Sequence, residues 1–193
     1  MDIFDNPKVY NFAQTVLAGK YYLKIFKLIE INEHDIIGDF CCGTGDLYKE
    51  LIKNQYNIIY RGYDINNKYI DYCKENFKDN LHYKVKFKKC DILNLPKRKV
   101  PFDKCFIINS IHHMQDNDVI KMLKIAKENS EKVYVIDMIY SGGVLNKILM
   151  DNDRGEYIRL IDYQKSLIKN IFTNVKVETF KSKFYKFTFF ECQ

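Results

Sequence analysis

The stretch Ile36-Ile37-Gly38-Asp39-Phe40-Cys41-Cys42-Gly43-Thr44-Gly45 decides the fold. Ile36, Ile37 and Phe40 read as a short buried strand. Small residues then turn the chain, and a helix follows from about Asp46 to Lys53. At such a strand-turn-helix the backbone amides and the positive end of the helix dipole meet above the sheet, where nucleotide-type ligands bind in α/β proteins. Glycine suits this turn because a Cβ would block a ligand's approach to the backbone. A dinucleotide site would continue as G-x-G-x-x-G, but Tyr48 stands at the third glycine's place. Asp39 would also set a carboxylate beside the pyrophosphate. An acidic residue here suits a cationic ligand better.

Outward from this turn, strands and helices alternate. Residues 7 to 30 carry Phe12, Val16, Leu17, Leu23, Phe26, Leu28 and Ile29 at near-helical spacing, giving one or two helices interrupted near Gly19. Asn57 to Tyr63 forms a second strand ending at Asp64, Asn66 begins a helix running to about Phe77, and Tyr83 to Phe87 forms a third strand. Residues 91 to 103 contain Pro96 and Pro101 and read as a loop with at most a turn of helix. Lys104 to Asn109 is the fourth strand, Asp116 caps a helix extending through Ile125, and Lys132 to Ile136 is the fifth strand. Five strands alternating with helices imply a parallel sheet. Ser141 to Phe172 reads as mainly helical. Asn174 to Phe180 and Phe184 to Glu191 alternate apolar and polar residues around a Lys-Ser-Lys turn, as an antiparallel hairpin would.

Two more carboxylates sit at strand ends. Asp64, nineteen positions beyond Gly45, can accept both hydroxyls of a ribose, and Asp91, after the third strand, can accept from an adenine amino group. S-adenosylmethionine carries an ammonium and a sulfonium and no phosphate, so three acidic strand ends favour it. The alternative for each is local: Asp39 capping the turn, Asp64 capping the next helix, Asp91 an ordinary loop residue. Asp39 to Gly45 resembles the first motif of class I S-adenosylmethionine-dependent methyltransferases, Asp64 the second, and Cys90-Asp91-Ile92 the third. Phe102-Asp103 through Asn109-Ser110-Ile111-His112-His113-Met114 resembles the fourth-strand segment of the small-molecule branch, which includes the ubiquinone and menaquinone C-methyltransferases. The resemblance covers roughly residues 36 to 137. It implies a Rossmann-like α/β fold whose seven-stranded sheet ends in a C-terminal antiparallel hairpin. It also implies S-adenosylmethionine as cofactor and S-adenosylhomocysteine as product, held by Asp39, Cys41, Gly43, Gly45, Asp64, Ile65, Asp91, Ile92 and Asn109. Cys41 replaces the family's first motif glycine, so the loop either sits farther from the cofactor or turns its thiol away.

Methyl transfer is an in-line displacement at the sulfonium carbon, served by alignment, desolvation and, where needed, removal of a proton. His112 and His113, just beyond the fourth strand, are the candidate bases. The alternative is a histidine that hydrogen-bonds the neighbouring loop. Arg154, Tyr157 and Arg159, with Asp151 and Asp153, form a second cluster after Ser141-Gly142-Gly143. Its guanidinium groups would take a carboxylate or phosphate on the substrate. Otherwise it is a helix start with Asp153 as cap and Arg159 solvated. By the resemblance, the N-terminal helix folds over the cofactor, with Tyr10 and Phe12 as an apolar lid.

The 193 residues fit one domain, with 1–35 a helical lid, 36–137 the cofactor-binding core, and 138–193 the substrate-side helices and closing hairpin. The N-terminus lacks a signal-peptide pattern, and no stretch approaches the roughly 18 apolar residues of a span. A cytoplasmic protein without a membrane span is expected. Six cysteines without a C-x-x-C or Cys/His ligand pair imply reduced thiols and no metal site. The net charge of +6 is dispersed, and Lys84, Lys86 and Lys88 alternate with Val85 and Phe87 as one solvated strand face. The substrate is therefore expected to be a small molecule, anionic if the arginines bind it. A nucleic-acid partner is disfavoured because the fourth strand lacks the Asn/Asp-Pro-Pro-Tyr/Phe loop used on base amines. RNA methylation and a non-catalytic S-adenosylmethionine-binding subunit are the alternatives, and the sequence leaves the oligomeric state open.

Overall fold

A computed structural model describes residue 7 and residues 21–80, 84–140, 155–182 and 185–193. After a helical segment α1 (Tyr21–Ile25) the chain runs β1 (Ile36–Phe40), α2 (Asp46–Lys53), β2 (Ile59–Asp64), α3 (Asn67–Asn76) and β3 (Val85–Lys89). It continues through β4 (Phe102–Ile108), α4 (Asp116–Asn129), β5 (Ser130–Ile139), α5 (Ile161–Lys169), β6 (Val175–Ser182) and β7 (Tyr185–Cys192). The seven strands lie in the order β3-β2-β1-β4-β5-β7-β6. Every pairing is parallel except the two made by β7. This is the Rossmann-like α/β sheet with a closing antiparallel hairpin that the sequence implied.

Two apolar layers flank the sheet. On one face α1, α2 and α3 bring Ile25, Leu51 and Ile70 against Ile37, Tyr60 and Phe106. On the other, α4 and α5 bring Met122, Leu123 and Ile168 against Phe40, Ile107 and Val135. β4 and β5 are buried on both faces, which is why they read as continuous apolar runs. Lys104 is the exception within β4, and it forms a buried ion pair with Asp35 at the foot of β1.

Pairing, more than hydropathy, sets the strand ends. β3 starts and finishes two residues later than expected, because Lys88 and Lys89 pair with Tyr63 and Asp64. The expected start at Tyr83 lies outside the described residues. β4 begins earlier, at Phe102, and stops before Asn109, whose φ of 51° turns the chain out of the strand. β5 extends to Ile139 because β7 pairs with it that far. The final ladder runs to Ser182 opposite Tyr185, so the first two residues of the expected Lys-Ser-Lys turn belong to the strand. Asp116 does not cap α4. It is the helix's first residue, and its carboxylate faces Arg159 and Tyr163. Of the expected helical stretch 141–172, residues 141–154 lie outside the described residues. The crossover from β3 to β4 holds only a 3-10 turn (Ile92–Asn94), while the other parallel crossovers carry α-helices. Among the described residues, no helix is long and apolar enough to cross a membrane.

Candidate functional site

The turn after β1 places three residues in the left-handed region: Cys41 at φ 61°, Gly43 at 53° and Gly45 at 79°. Cys42 N–H donates to the Tyr63 carbonyl at 2.8 Å, and Gly45 N–H to the Cys42 carbonyl at 2.9 Å. Gly45 is required by its own neighbours: a Cβ there would stand 2.8 Å from the Phe77 ring and 3.2 Å from the Cys73 sulfur. Packing against α3 thus demands this glycine, whereas the sequence reading invoked ligand approach. Cys41 adopts the conformation a glycine would take without strain, at a cost of roughly 1–2 kcal/mol. Its half-buried thiol is pushed up to about 12, first by burial and next by the Asp64 carboxylate, with the Ser110 hydroxyl pulling the other way. It is therefore a poor nucleophile.

Around this turn the carboxylates gather. Asp39 is 3% exposed and accepts from the Tyr60 hydroxyl at 2.5 Å. Burial pushes its pKa up to about 7; the Tyr60 hydroxyl opposes this, while the nearby Asp64 and Asp46 add to it. Asp64 ends β2 with both oxygens engaged: Oδ2 accepts from Gly43 N–H and Oδ1 from Asn66 N–H, each at 2.8 Å. Burial raises its pKa, and the backbone donors work against that shift. Each oxygen retains acceptor capacity. The cap of α3 is Asn66, which accepts from Lys68 N–H. Asp91 takes up the local role, capping the 3-10 turn through Leu93 N–H at 3.0 Å and Asn94 Nδ2 at 2.7 Å. Ile92 is buried, while Ile65, directly after Asp64, is 67% exposed.

Asn109 stands at the end of β4. Its Nδ2 donates to the Tyr21 hydroxyl at 3.4 Å, and its Oδ1 is buried without a hydrogen-bond partner. An orphan buried acceptor is costly and calls for a donor. The sheet order brings Asp39, Asp64 and Asn109 together, since β1 lies between β2 and β4.

The two histidines differ sharply. His112 is 2% exposed. Its Nδ1 lies 2.5 Å from Asp137 Oδ1, and its backbone N–H donates to Asp137 Oδ2 at 3.1 Å. Asp137 interrupts the apolar run of β5 and also accepts from Met138 N–H at 2.6 Å. As an acceptor it orients the ring with Nδ1–H toward itself. Gly155 packs on the ring's Cδ2 edge so closely that a Cβ there would collide with it. His113 is exposed and touches the His112 ring, with centroids 4.0 Å apart. Tyr157 N–H donates to the His112 carbonyl at 2.9 Å.

Arg159 does not present a free guanidinium. It is buried and donates to the carbonyls of Ile111, Met114 and Tyr157 at 2.6, 2.7 and 3.0 Å, and to Asp116 Oδ1 from both Nε and Nη2. The Tyr163 hydroxyl and this guanidinium hold Asp116 below the usual carboxylate range. Neither the solvated nor the substrate-facing reading of Arg159 matches this geometry: it clamps the histidine turn to the 157–163 segment. Tyr157 is half-buried beneath that clamp. Tyr10, Phe12, Asp151, Asp153 and Arg154 lie outside the described residues. Sequence reasoning missed Asp137, although an acid closing the apolar run Val133–Ile136 was the available signal. It also missed Tyr60, Asp46 and Tyr21, for which hydropathy gave none.

Residues 37–132 match the family model described as a methyltransferase domain. The demethylmenaquinone methyltransferase of Lactobacillus johnsonii is 32% identical over 101 residues, covering 50% of this chain and 41% of that protein. The chain thus spans less than half the length of this curated relative. A solved S-adenosylmethionine-dependent methyltransferase from Aquifex aeolicus superposes with a TM-score of 0.74 at 15% identity, over 99% of this chain and 98% of that one. The Haemonchus contortus phosphoethanolamine N-methyltransferase 2, solved with phosphomonomethylethanolamine and S-adenosylhomocysteine, gives 0.75 at 14% identity, over 94% and 56%. These structural likenesses speak for the fold. The matched domain and the curated relative make residues 37–132 a class I S-adenosylmethionine-dependent methyltransferase domain, and the fold agrees with them.

Proposed function

We propose that the protein binds S-adenosylmethionine at the β1 turn and methylates a small molecule beside the His112-His113 turn. The observation that carries this reading is the pair of buried carboxylates at neighbouring strand ends, Asp39 at 3% and Asp64 at 8% exposure, with burial raising both. A buried acidic pair is expensive, and a cationic ligand is what relieves it. The residues fit such a ligand in other respects too. Asp64 would accept the ribose hydroxyls with its remaining lone pairs, exposed Ile65 and buried Ile92 would flank the adenine, and Asn109 Oδ1 would find a donor. Asp91, partly spent on its turn, would accept from the adenine amino group with its remaining capacity.

S-adenosylmethionine, when bound, supplies a methyl group activated by the adjoining sulfonium. The chain's own residues then hold the acceptor and keep water out. Of the two histidines, His113 would take a proton from a hydroxyl or amine, because it is exposed, while His112 is fixed between Asp137 and Gly155. With Arg159 spent internally, an anionic group on the substrate would fall to Arg154. Titration calorimetry tests the reading: S-adenosylhomocysteine should bind well and NAD much more weakly. Asp64→Ala should cost roughly 2–4 kcal/mol of that binding as two charge-assisted bonds are lost. Tighter binding of NAD, or undiminished affinity in a folded Asp64→Ala protein, overturns it.

A further inference from the structure

Lys84, Lys86 and Lys88 look in the sequence like the solvated side of one strand, but the register gives them neighbours. Arg61 on β2 lies directly opposite Lys86, and Tyr63 opposite Lys88, on the face turned away from buried Val85 and Phe87. Arg98 reaches the same face. Its guanidinium lies 4.0 Å over the Phe102 ring, and Nη1 donates to the Tyr63 hydroxyl at 3.3 Å. Arg61 is held below its usual value by burial and, through charge, by Arg98, so the two guanidinium groups sense one another. Like charges directly opposite across paired strands repel. On this face Lys86 and Lys88 stand out into solvent, while Arg61 and Arg98 are half-buried beside the buried Tyr63. Lys86 and Lys88 are exposed, and among the described residues neither has an ion-pair partner. The one carboxylate on these two strands, Asp64, is turned to the opposite side, toward Gly43 N–H.

Arg61 is anchored through Nη1 on the carbonyls of Tyr60 and Lys84, and the four positive charges of this face favour an anionic partner. Neither strand exposes a large apolar side chain, which removes the central anchor that protein interfaces rely on. Lys86 and Lys88 recur about 6.6 Å apart along an extended strand, a linear row suited to a linear polyanion. We propose that the β2–β3 face formed by Arg61, Lys86, Lys88 and Arg98 binds the phosphodiester backbone of single-stranded nucleic acid. Such contacts hold phosphates and carry no sequence information, so binding is sequence-independent. The inference is separate from the methyl-transfer reading and can fail without it.

Fluorescence anisotropy of a labelled twelve-residue oligouridylate with the full chain tests this. Four phosphate contacts give a slope of log affinity against log salt near roughly −2.8, or about fifty-fold weakening between 50 and 200 mM. The double variant Lys86→Glu/Lys88→Glu should reduce that slope by about half and weaken binding at least about tenfold at 50 mM. Its thermal midpoint and S-adenosylhomocysteine affinity should not change. Lys121→Glu/Lys124→Glu, exposed on α4, makes the same change in net charge and should bind the oligonucleotide like the parent. No binding at 50 mM, equal losses in the two variants, or tighter binding of polyglutamate than of oligouridylate each overturns the proposal.

Discussion

Asp39 ties protonation, stability and ligand binding to one side chain. Its folded pKa of about 7 lies above the ordinary 3.8, so its favourable contribution is complete below about pH 4 and is lost as pH rises through 7. At pH 8 the buried charge costs on the order of 4 kcal/mol. Asp39→Asn should therefore raise the urea midpoint at pH 8 and leave it nearly unchanged at pH 4; equal midpoints at pH 8 would contradict the assigned shift. The same substitution should flatten the pH dependence of S-adenosylhomocysteine binding, which in the parent weakens as pH falls below 7. The histidines separate by a different measurement. His112→Ala leaves the fully buried Asp137 without its ring partner and should cost about 1–3 kcal/mol of stability. His113→Ala should change stability by less than about 0.5 kcal/mol, as exposed positions do, and should lower turnover if His113 is the base. The reverse ordering of stabilities would refute this division. Cys41 shows the limits of reading residues singly: its place in the motif was visible in the sequence, but its left-handed backbone was not, and its thiol is raised by burial and by Asp64, which arrives from the neighbouring strand.

The turn between β4 and α4 is held by an arginine from far along the chain. Three carbonyls and Asp116 converge on Arg159, and no other side chain offers enough donors in that geometry. Arg159→Ala should lower the thermal midpoint and speed amide exchange over residues 110–116. Arg159→Lys should recover only part of that loss. Unaltered exchange with a raised Michaelis constant would return Arg159 to the substrate-facing role. Existence and order of the elements were legible because apolar periodicity changes cleanly between strand and helix, as at Ile36–Phe40 against Asp46–Lys53. Their ends were not, because Lys88, Lys89 and Ser182 are strand residues only by virtue of partners across the sheet. The carboxylates at strand ends were legible for a local reason: each stands where a strand pattern gives way to a turn. The Arg159 clamp and the His112–Asp137 pair join residues 43 and 25 positions apart, which periodicity does not register.

Across the molecule, the strongest asymmetry lies in the final hairpin. β7 enters the sheet between β5 and β6, buried by Phe187, Phe189 and Phe190, while β6 is the edge. Phe189→Ala should cost about 3–5 kcal/mol by urea denaturation, and Phe180→Ala on half-buried β6 distinctly less. Comparable losses would argue that the edge strand carries as much of the core as its neighbour. The inserted strand also has a consequence for biosynthesis. A growing polypeptide makes β6 before β7, yet β6 touches β5 nowhere in the ladder. Until β7 emerges, the nascent sheet ends at β5, with seven pairing positions from Val133 to Ile139 open along a nearly all-apolar strand. Hairpins close within microseconds, so β6 and β7 can dock as a preformed unit, and that docking completes the sheet. Before it, the unfilled edge of one chain is a template for the hairpin of another, which makes crowded translation the moment of greatest exposure to strand exchange and to capture by chaperones.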